Sequence, residues 1–200
     1  MGPGTDALRI DHVIYATADL DAAAAHVEQV LGVAARGGGR HERIGTHNRI
    51  VPLGGGYLEL LAIADVGEAA RSELGRAITA RIADGDGLMG WAVAVDDVEP
   101  VAARLGTEIS TIARSGLTAR LTGVAEAMRE PFLPFFIARD AGVADPSGPA
   151  GGAGGIAWLE VSGDADRLAH WLGGGDVPVR VVAGPAAVRA MGVGDRELRG

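Results

Sequence analysis

The chain has 200 residues, a length that fits one domain or two small domains sharing a core. With a net charge of −8, the chain lacks the excess of basic residues found in nucleic-acid-binding proteins and the cluster of cationic residues found in membrane-surface proteins. The absence of cysteine excludes disulfides, thiolate metal sites and cysteine nucleophiles. With no apolar run near ~18 residues and no signal-peptide pattern at the start, we expect a cytoplasmic protein.

Three segments repeat one pattern: an apolar strand-like run, an acidic residue, and a helical run that ends in Leu-Gly. An aspartate stands where a helix N-cap belongs, and a glycine stands where a left-handed residue ends a helix. Apolar residues within each helical run recur at spacings of three and four, which predicts one buried face. The repeats span residues 10–32, 91–106 and 156–173, with Asp19, Asp97 and Asp164 as N-caps and Gly32, Gly106 and Gly173 at the ends.

Strand-like runs follow each predicted helix. Residues 46–53 and Tyr57–Ile63, joined by three glycines, predict a hairpin, and a weaker strand signal lies near 33–37. Repeated βα units followed by hairpins favour α+β modules with antiparallel pairing over a parallel doubly wound sheet. The later runs lie near 108–114, 117–122, 133–138, 177–183 and 187–192.

Two segments interrupt this pattern. Residues 65–84 carry Leu74, Ile78 and Ile82 at four-residue spacing, which predicts an amphipathic helix covering the sheet. Residues 140–155 are rich in glycine, proline and aspartate and predict a flexible loop, either a plain connector or a lid.

His12 and Glu59 are polar residues inside apolar strands. In a regular strand Ile10, His12 and Ile14 share one face, so His12 either points into a cavity or is a core histidine with a partner. A buried carboxylate such as Glu59 needs a cation, a donor network or a metal. Together the two could bind zinc, iron, nickel or manganese. The alternatives are a hydrogen bond between them, or pairing of Glu59 with Arg49.

A polar cluster at residues 37–49 contains further candidates. Asn48 shares a strand face with Thr46 and is the expected hydrogen-bond donor, whereas His47 faces solvent. For His41 three roles stay open: third metal ligand, general base, or exposed loop residue. We interpret His26 and His170, which lie in predicted helices, as surface or helix-packing residues.

Other chemistry-bearing motifs are missing from the sequence. The glycine run at 151–155 precedes a strand and so does not join a strand to a helix, as a dinucleotide-binding loop would. There is no Gly-Lys-Ser/Thr phosphate loop and no serine in a nucleophile elbow. We therefore expect no nucleotide cofactor.

The segments at 10–21, 37–49, 57–61 and 131–137, together with the third βα unit, resemble the glyoxalase-like group of the vicinal-oxygen-chelate superfamily. This resemblance implies an α+β fold of paired βαβββ modules, whose curled mixed or antiparallel sheet surrounds a cleft, plus a C-terminal βα unit. The implied divisions are a first module at 8–64, an inserted helix at 65–86, a second module at 87–139, a flexible loop at 140–155 and a C-terminal βα(β) unit at 156–200.

The resemblance also implies a divalent metal that chelates two adjacent substrate oxygens. His12 matches the first-strand ligand and Glu59 the last-strand ligand, and His41 is the candidate third ligand. The second module departs from the pattern, because Gly90 stands in place of His12 and an apolar residue in place of Glu59. In addition, Asp145-Pro146 replaces the His-Pro often found in the long loop.

These observations lead to two hypotheses. The first is a metal-dependent lyase, isomerase or dioxygenase acting on a small oxygenated substrate, with His41, Asn48 and Glu59 in catalytic or substrate-contacting positions. The second is a metal-free protein that binds or sequesters a small molecule. A third alternative makes His12 and Glu59 a structural pair. A homodimer is compatible with the module pattern but is not required by it.

Overall fold

The computed structural model describes residues 8–114, 117–140, 142, 145–148 and 153–200. It is an α+β fold with one eight-stranded mixed sheet and one four-stranded sheet. In the described residues no helix is long and apolar enough to cross a membrane. The predicted loop at 140–155 falls partly on residues 141, 143–144 and 149–152, which lie outside the described residues.

The first βαβββ module has the predicted helix and hairpin. It consists of β1 (Arg9–Ala16), α1 (Leu20–Leu31), β2 (Arg36–His41), β3 (Thr46–Pro52) and β4 (Tyr57–Ile63). The Asp19 carboxylate caps α1 by accepting from the amides of Asp21 and Ala22, and Gly32 ends the helix with φ of 70°. The weak strand predicted near 33–37 lies later in the chain, so His41 ends a strand.

The second module follows an insertion. Two helices, α2 (Val66–Arg71) and α3 (Glu73–Ala83), replace the single predicted helix, because the backbone at Ser72 is extended and its side chain caps α3. The second module then comprises β5 (Gly87–Ala94), α4 (Glu99–Leu105), β6 (Ile109–Arg114), β7 (Leu117–Thr122), α5 (Val124–Arg129) and β8 (Phe135–Arg139).

Two details of the second module differ from the predictions. Val98, and not Asp97, is the N-cap residue of α4; the Asp97 carboxylate accepts instead from the Glu99 amide. The short helix α5 was not predicted. Its first turn follows Gly123, whose φ of 78° allows the chain to turn directly out of β7.

The two modules join through their first strands. β1 pairs parallel with β4 and β5 pairs parallel with β8, whereas β1 and β5 are antiparallel. The eight strands therefore form one continuous sheet in the order β2-β3-β4-β1-β5-β8-β7-β6. At its centre the first strands of the two modules pair symmetrically, with His12 opposite Ala92 and Ile14 opposite Gly90.

The C-terminal unit forms the second sheet. It contains β9 (Trp158–Ser162), α6 (Ala165–Leu172), β10 (Val179–Val182), β11 (Ala187–Val193) and β12 (Arg196–Arg199), in the sheet order β10-β9-β11-β12. The last strand was not predicted from the sequence. Leu159, Met191 and Trp171 join α1 and the back of the large sheet in one apolar core. The opposite face of the large sheet therefore remains for the cleft.

Candidate functional site

His12 enters the cleft because β1 contains a bulge. Ile10 and His12 lie opposite the consecutive residues Val93 and Ala92, so Asp11 is an extra residue in the strand. The expectation that Ile10 shares a face with His12 is therefore wrong: Ile10 packs in the core behind the sheet. The bulge also places neighbouring side chains together, and the Asp11 Oδ1 atom lies 2.6 Å from the His12 Nδ1 atom.

Asp11 is held by a second, distant partner. Asp11 is 1% exposed, and its carboxylate accepts hydrogen bonds from both terminal nitrogens of Arg139 in β8. The Arg139 Nη2 atom lies 2.7 Å from Asp11 Oδ1. Burial alone would raise the pKa of Asp11, but hydrogen bonds and charge from Arg139 and His12 outweigh burial and hold this pKa well below its usual value. Asp11 is therefore an anion at neutral pH. An ionised carboxylate can only accept, so His12 donates from Nδ1, and Nε2 is the ring nitrogen on the side of Glu59.

Aromatic rings fix the plane of the His12 imidazole. Tyr57 stacks on it with ring centroids 4.7 Å apart, and Phe135 contacts it edge-on at 5.4 Å. Arg139 Nη2 also donates to the Tyr57 hydroxyl at 3.2 Å. Burial, with the charges of Glu59 and Asp11, raises the pKa of Tyr57 well above its usual value, so this hydroxyl stays protonated.

Glu59 lies on β4 in contact with three polar side chains. It is 8% exposed, and Asn48 Nδ2 donates to its Oε1 atom in a short hydrogen bond. The His12 Nε2 atom is 3.7 Å from Glu59 Oε2, and the His41 Nε2 atom is 3.8 Å from Glu59 Oε1. The structure thus brings together all four residues that the sequence singled out.

The orientation of Asn48 follows from its backbone neighbours. The Gly39 amide donates to Asn48 Oδ1 at 2.8 Å, so the NH₂ group must face Glu59. This contact requires a glycine beside it, because a Cβ at Gly38 would lie 1.9 Å from the Asn48 carbonyl oxygen. His41 Nδ1 lies 3.0 Å from the Thr46 hydroxyl, which orients the second imidazole.

The alternative pairing of Glu59 with Arg49 does not occur. Arg49 lies on the other face of β3 and binds Asp21 of α1 in a short ion pair. His47 shares that face and is half-buried, while His26 and His170 are exposed on helices. These three histidines are therefore absent from the cleft lining.

The cleft around these polar groups is mainly apolar and open to solvent, and the space within it and at its mouth is about 1080 Å³. The inserted helix α3 contributes Leu74 and Ile78 to the lining, so it covers part of the cleft. Asp11, Arg139 and Tyr57 are site residues that sequence reasoning missed. For Asp11 and Arg139 the one sequence signal was a charged residue at the end of an apolar strand: Asp11 lies near the start of β1, and Arg139 is the last residue of β8.

Imidazole and carboxylate groups are ligand types that suit the divalent metal implied by the family resemblance, but the positions of these side chains in the structure do not match a metal site. Among the described residues no group of three His, Asp or Glu side chains is arranged to hold a metal ion. Buried side-chain nitrogens and oxygens in this part of the chain all have hydrogen-bond partners. In the described part of the second module, neither ligand position is kept: Ala92 pairs with Phe135 as Ile14 pairs with Glu59, which puts Phe135 in the place of Glu59 and Gly90 in the place of His12.

Solved structures share this fold at low sequence identity. A hypothetical protein from Staphylococcus aureus matches with a TM-score of 0.66 and 17% identity over 90% of this chain and 88% of that chain. Methylmalonyl-CoA epimerase from Mycobacterium tuberculosis matches with a TM-score of 0.50 and 20% identity over 70% and 91%. A variant of the Streptomyces coelicolor epimerase, in complex with 2-nitronate-propionyl-CoA, gives 0.51 and 21% over 68% and 100%.

The sequence comparisons give the family. No curated protein matches this chain significantly. A family profile described as a glyoxalase-like domain matches residues 10–174, which include both modules and the βα unit that follows them. The paired modules, the curled sheet and the cleft agree with this match, and the chain belongs to the glyoxalase-like domain family.

Proposed function

We propose that the chain is an isomerase or lyase that moves a proton on a small oxygenated substrate bound in the cleft. The observation that carries this proposal is the pair of proton-accepting groups at one point of an apolar cleft, His12 Nε2 and Glu59 Oε2, 3.7 Å apart. An apolar pocket with a few convergent polar groups is the usual form of a small-molecule site.

His12 is the first proton acceptor in this proposal. The Asp11 carboxylate accepts a hydrogen bond from His12 Nδ1, so the lone pair of Nε2 is directed at the substrate. When Nε2 takes a proton, the neighbouring anionic Asp11 stabilises the imidazolium, as an aspartate does in a catalytic triad. Arg139 keeps Asp11 ionised and in place. Arg139 and Asp11 are therefore positioning residues for His12.

Glu59 supplies the second step. In an isomerisation at a carbon next to a carbonyl, His12 Nε2 removes the carbon-bound proton, and the Glu59 carboxylate takes that proton from the imidazolium and returns it to the neighbouring atom, so both groups end in their starting protonation states. Glu59 lies close enough to His12 for the two groups to reach adjacent atoms of one substrate. Asn48 holds Glu59 Oε1, which leaves Oε2 as the atom nearer to His12. The net reaction needs no external oxidant or reductant.

The metal-dependent form of this function, including a dioxygenase, is the family-based alternative. It is favoured by one observation: each cleft imidazole has an oxygen partner at Nδ1 and has Nε2 near Glu59, an arrangement common among metal-binding histidines. Elemental analysis of untagged protein, before and after dialysis against a weak chelator, separates the two. About one equivalent of zinc, nickel, iron or manganese, lost in His12→Gln and Glu59→Gln, would replace the metal-free mechanism.

The proton transfer itself is tested by solvent deuterium exchange. Neutral ketones and hydroxyketones with aromatic or cyclic bodies are incubated with the protein in D₂O, and exchange at the carbon beside the carbonyl is followed by NMR. We expect exchange that falls by about 10²–10⁴-fold in Glu59→Gln and in His12→Gln. His26→Gln is the matched control, because His26 is exposed on α1. Exchange equal in wild type and both site variants would overturn the proposal and favour simple binding.

A further inference from the structure

The lining of the cleft restricts the kind of molecule that it accepts. Apart from the polar groups around Glu59, its described lining consists mainly of aliphatic side chains, methionines and Phe135. These come from both modules and from α3, and they surround one polar point. They include Ile14, Leu74, Met89, Leu121, Met128 and Phe135.

The charges of the lining favour neutral molecules over anions. Arg139 is the one arginine among the described lining residues, and the buried Asp11 carboxylate binds both of its terminal nitrogens. Among the described lining residues, an anionic ligand therefore finds no arginine whose charge is not already compensated. Glu59 adds a carboxylate at the polar point, which repels an anionic group placed beside it.

We infer that the substrate is a neutral molecule with a bulky apolar body and a single oxygenated end, such as a ketone or hydroxyketone, and not a carboxylate, phosphate or thioester of a nucleotide. This inference rests on the proposed function, because it places the oxygenated end at His12 and Glu59. The apolar body would then lie against the second module and α3. A charged tail would have to leave the cleft or lie beside Glu59.

Gly90 provides a way to test where the apolar body lies. It is opposite Ile14, a cleft residue, in the β1–β5 pairing, and cross-strand partners share a sheet face. A Cβ at Gly90 would meet no heavy atom within 4 Å. A leucine at this position therefore extends into open space on the cleft side and occupies part of the volume available to a ligand. Alanine at the same position adds one methyl group and is the matched control.

Two fluorescent probes with nearly the same apolar body test the inference. Phenylnaphthylamine is neutral, and anilinonaphthalene sulfonate carries one added negative charge. We expect the neutral probe to bind at least about tenfold more tightly at pH 7, since one unfavourable charge interaction of modest size gives that factor. Glu59→Gln should narrow this ratio by strengthening binding of the sulfonate probe.

Gly90→Leu should abolish binding of the neutral probe, and Gly90→Ala should retain it, with circular dichroism checking that both variants fold. Equal or tighter binding of the sulfonate, no binding of either probe, or binding that ignores Gly90→Leu would each overturn the inference. The deuterium-exchange assay tests the proposed function separately from this inference. A preference for the neutral probe without exchange would remove the proton-transfer function alone, whereas exchange confined to anionic substrates would remove the inference alone.

Discussion

Replacing Arg139 by leucine tests the buried ion pair that orients His12. The change leaves the Asp11 carboxylate, 1% exposed, without the guanidinium that binds both of its oxygens. Removing one partner of such a pair costs about 3–5 kcal/mol. Because His12 still donates to Asp11, we expect a loss near 3 kcal/mol. With a typical urea dependence of about 2 kcal/mol per molar, the midpoint of unfolding would fall by ~1.5 M.

Equilibrium urea unfolding at pH 7, followed by circular dichroism, measures this loss. Arg167→Leu is the matched control, because Arg167 also binds a carboxylate, that of Glu130, through two of its nitrogens, but at the surface. An exposed pair of this kind contributes about 0–1 kcal/mol. Equal losses in the two variants would refute the argument that burial makes the Asp11 pair important. The double variant with Asp11→Asn should recover part of the Arg139→Leu loss, since no buried charge is left unpaired.

Two further measurements follow from the same contacts. Because the pKa of folded Asp11 lies below its ordinary value of 3.8, ionised Asp11 stabilises the fold above that pH, and this contribution is lost as the pH falls below it. The urea midpoint of the wild type should therefore decline on acidification, and that of Arg139→Leu should decline less. Asp19→Ala should cost about 1 kcal/mol of unfolding free energy through the lost α1 cap, and Asp97→Ala should cost less because Val98 is the α4 N-cap.

Local sequence patterns predicted the module architecture well. The three βα units and the 46–53 hairpin carry their signals within short stretches: an acidic cap, a helical apolar face, a terminal glycine and a glycine turn. The break at Ser72 was missed because the residues that set the apolar spacing, Leu74, Ile78 and Ile82, all lie after it and carry no information about the preceding turn and a half. The strand Arg196–Arg199 was missed because it is short and charged, and its pairing with β11 alone reveals it.

The candidate site could be predicted only in part. His12 and Glu59 attracted attention as polar residues in apolar strands, and the structure places them 3.7 Å apart. Their roles stay predictions. The Asp11–Arg139 pair could not be found in this way, because its members are 128 positions apart and meet through a bulge that no local pattern marks. The identity of a buried partner is a property of the whole sheet and not of either strand.

The junction of the two modules at β1 and β5 has a consequence for how this protein can change. The candidate site residues His12, His41, Asn48 and Glu59 all come from the first half of the chain, while β7, α5 and β8 in the second half contribute mainly apolar side chains to the described lining. Under the proposed function, the polar groups that react and most of the apolar lining that selects a substrate by shape thus come from different halves of the chain, apart from Arg139, which holds Asp11. Substitutions at residues such as Leu121, Val124 and Met128 would then change which ligand the cleft accepts and leave the polar groups of the first half in place. The second half is therefore the natural place for redesign of ligand selectivity.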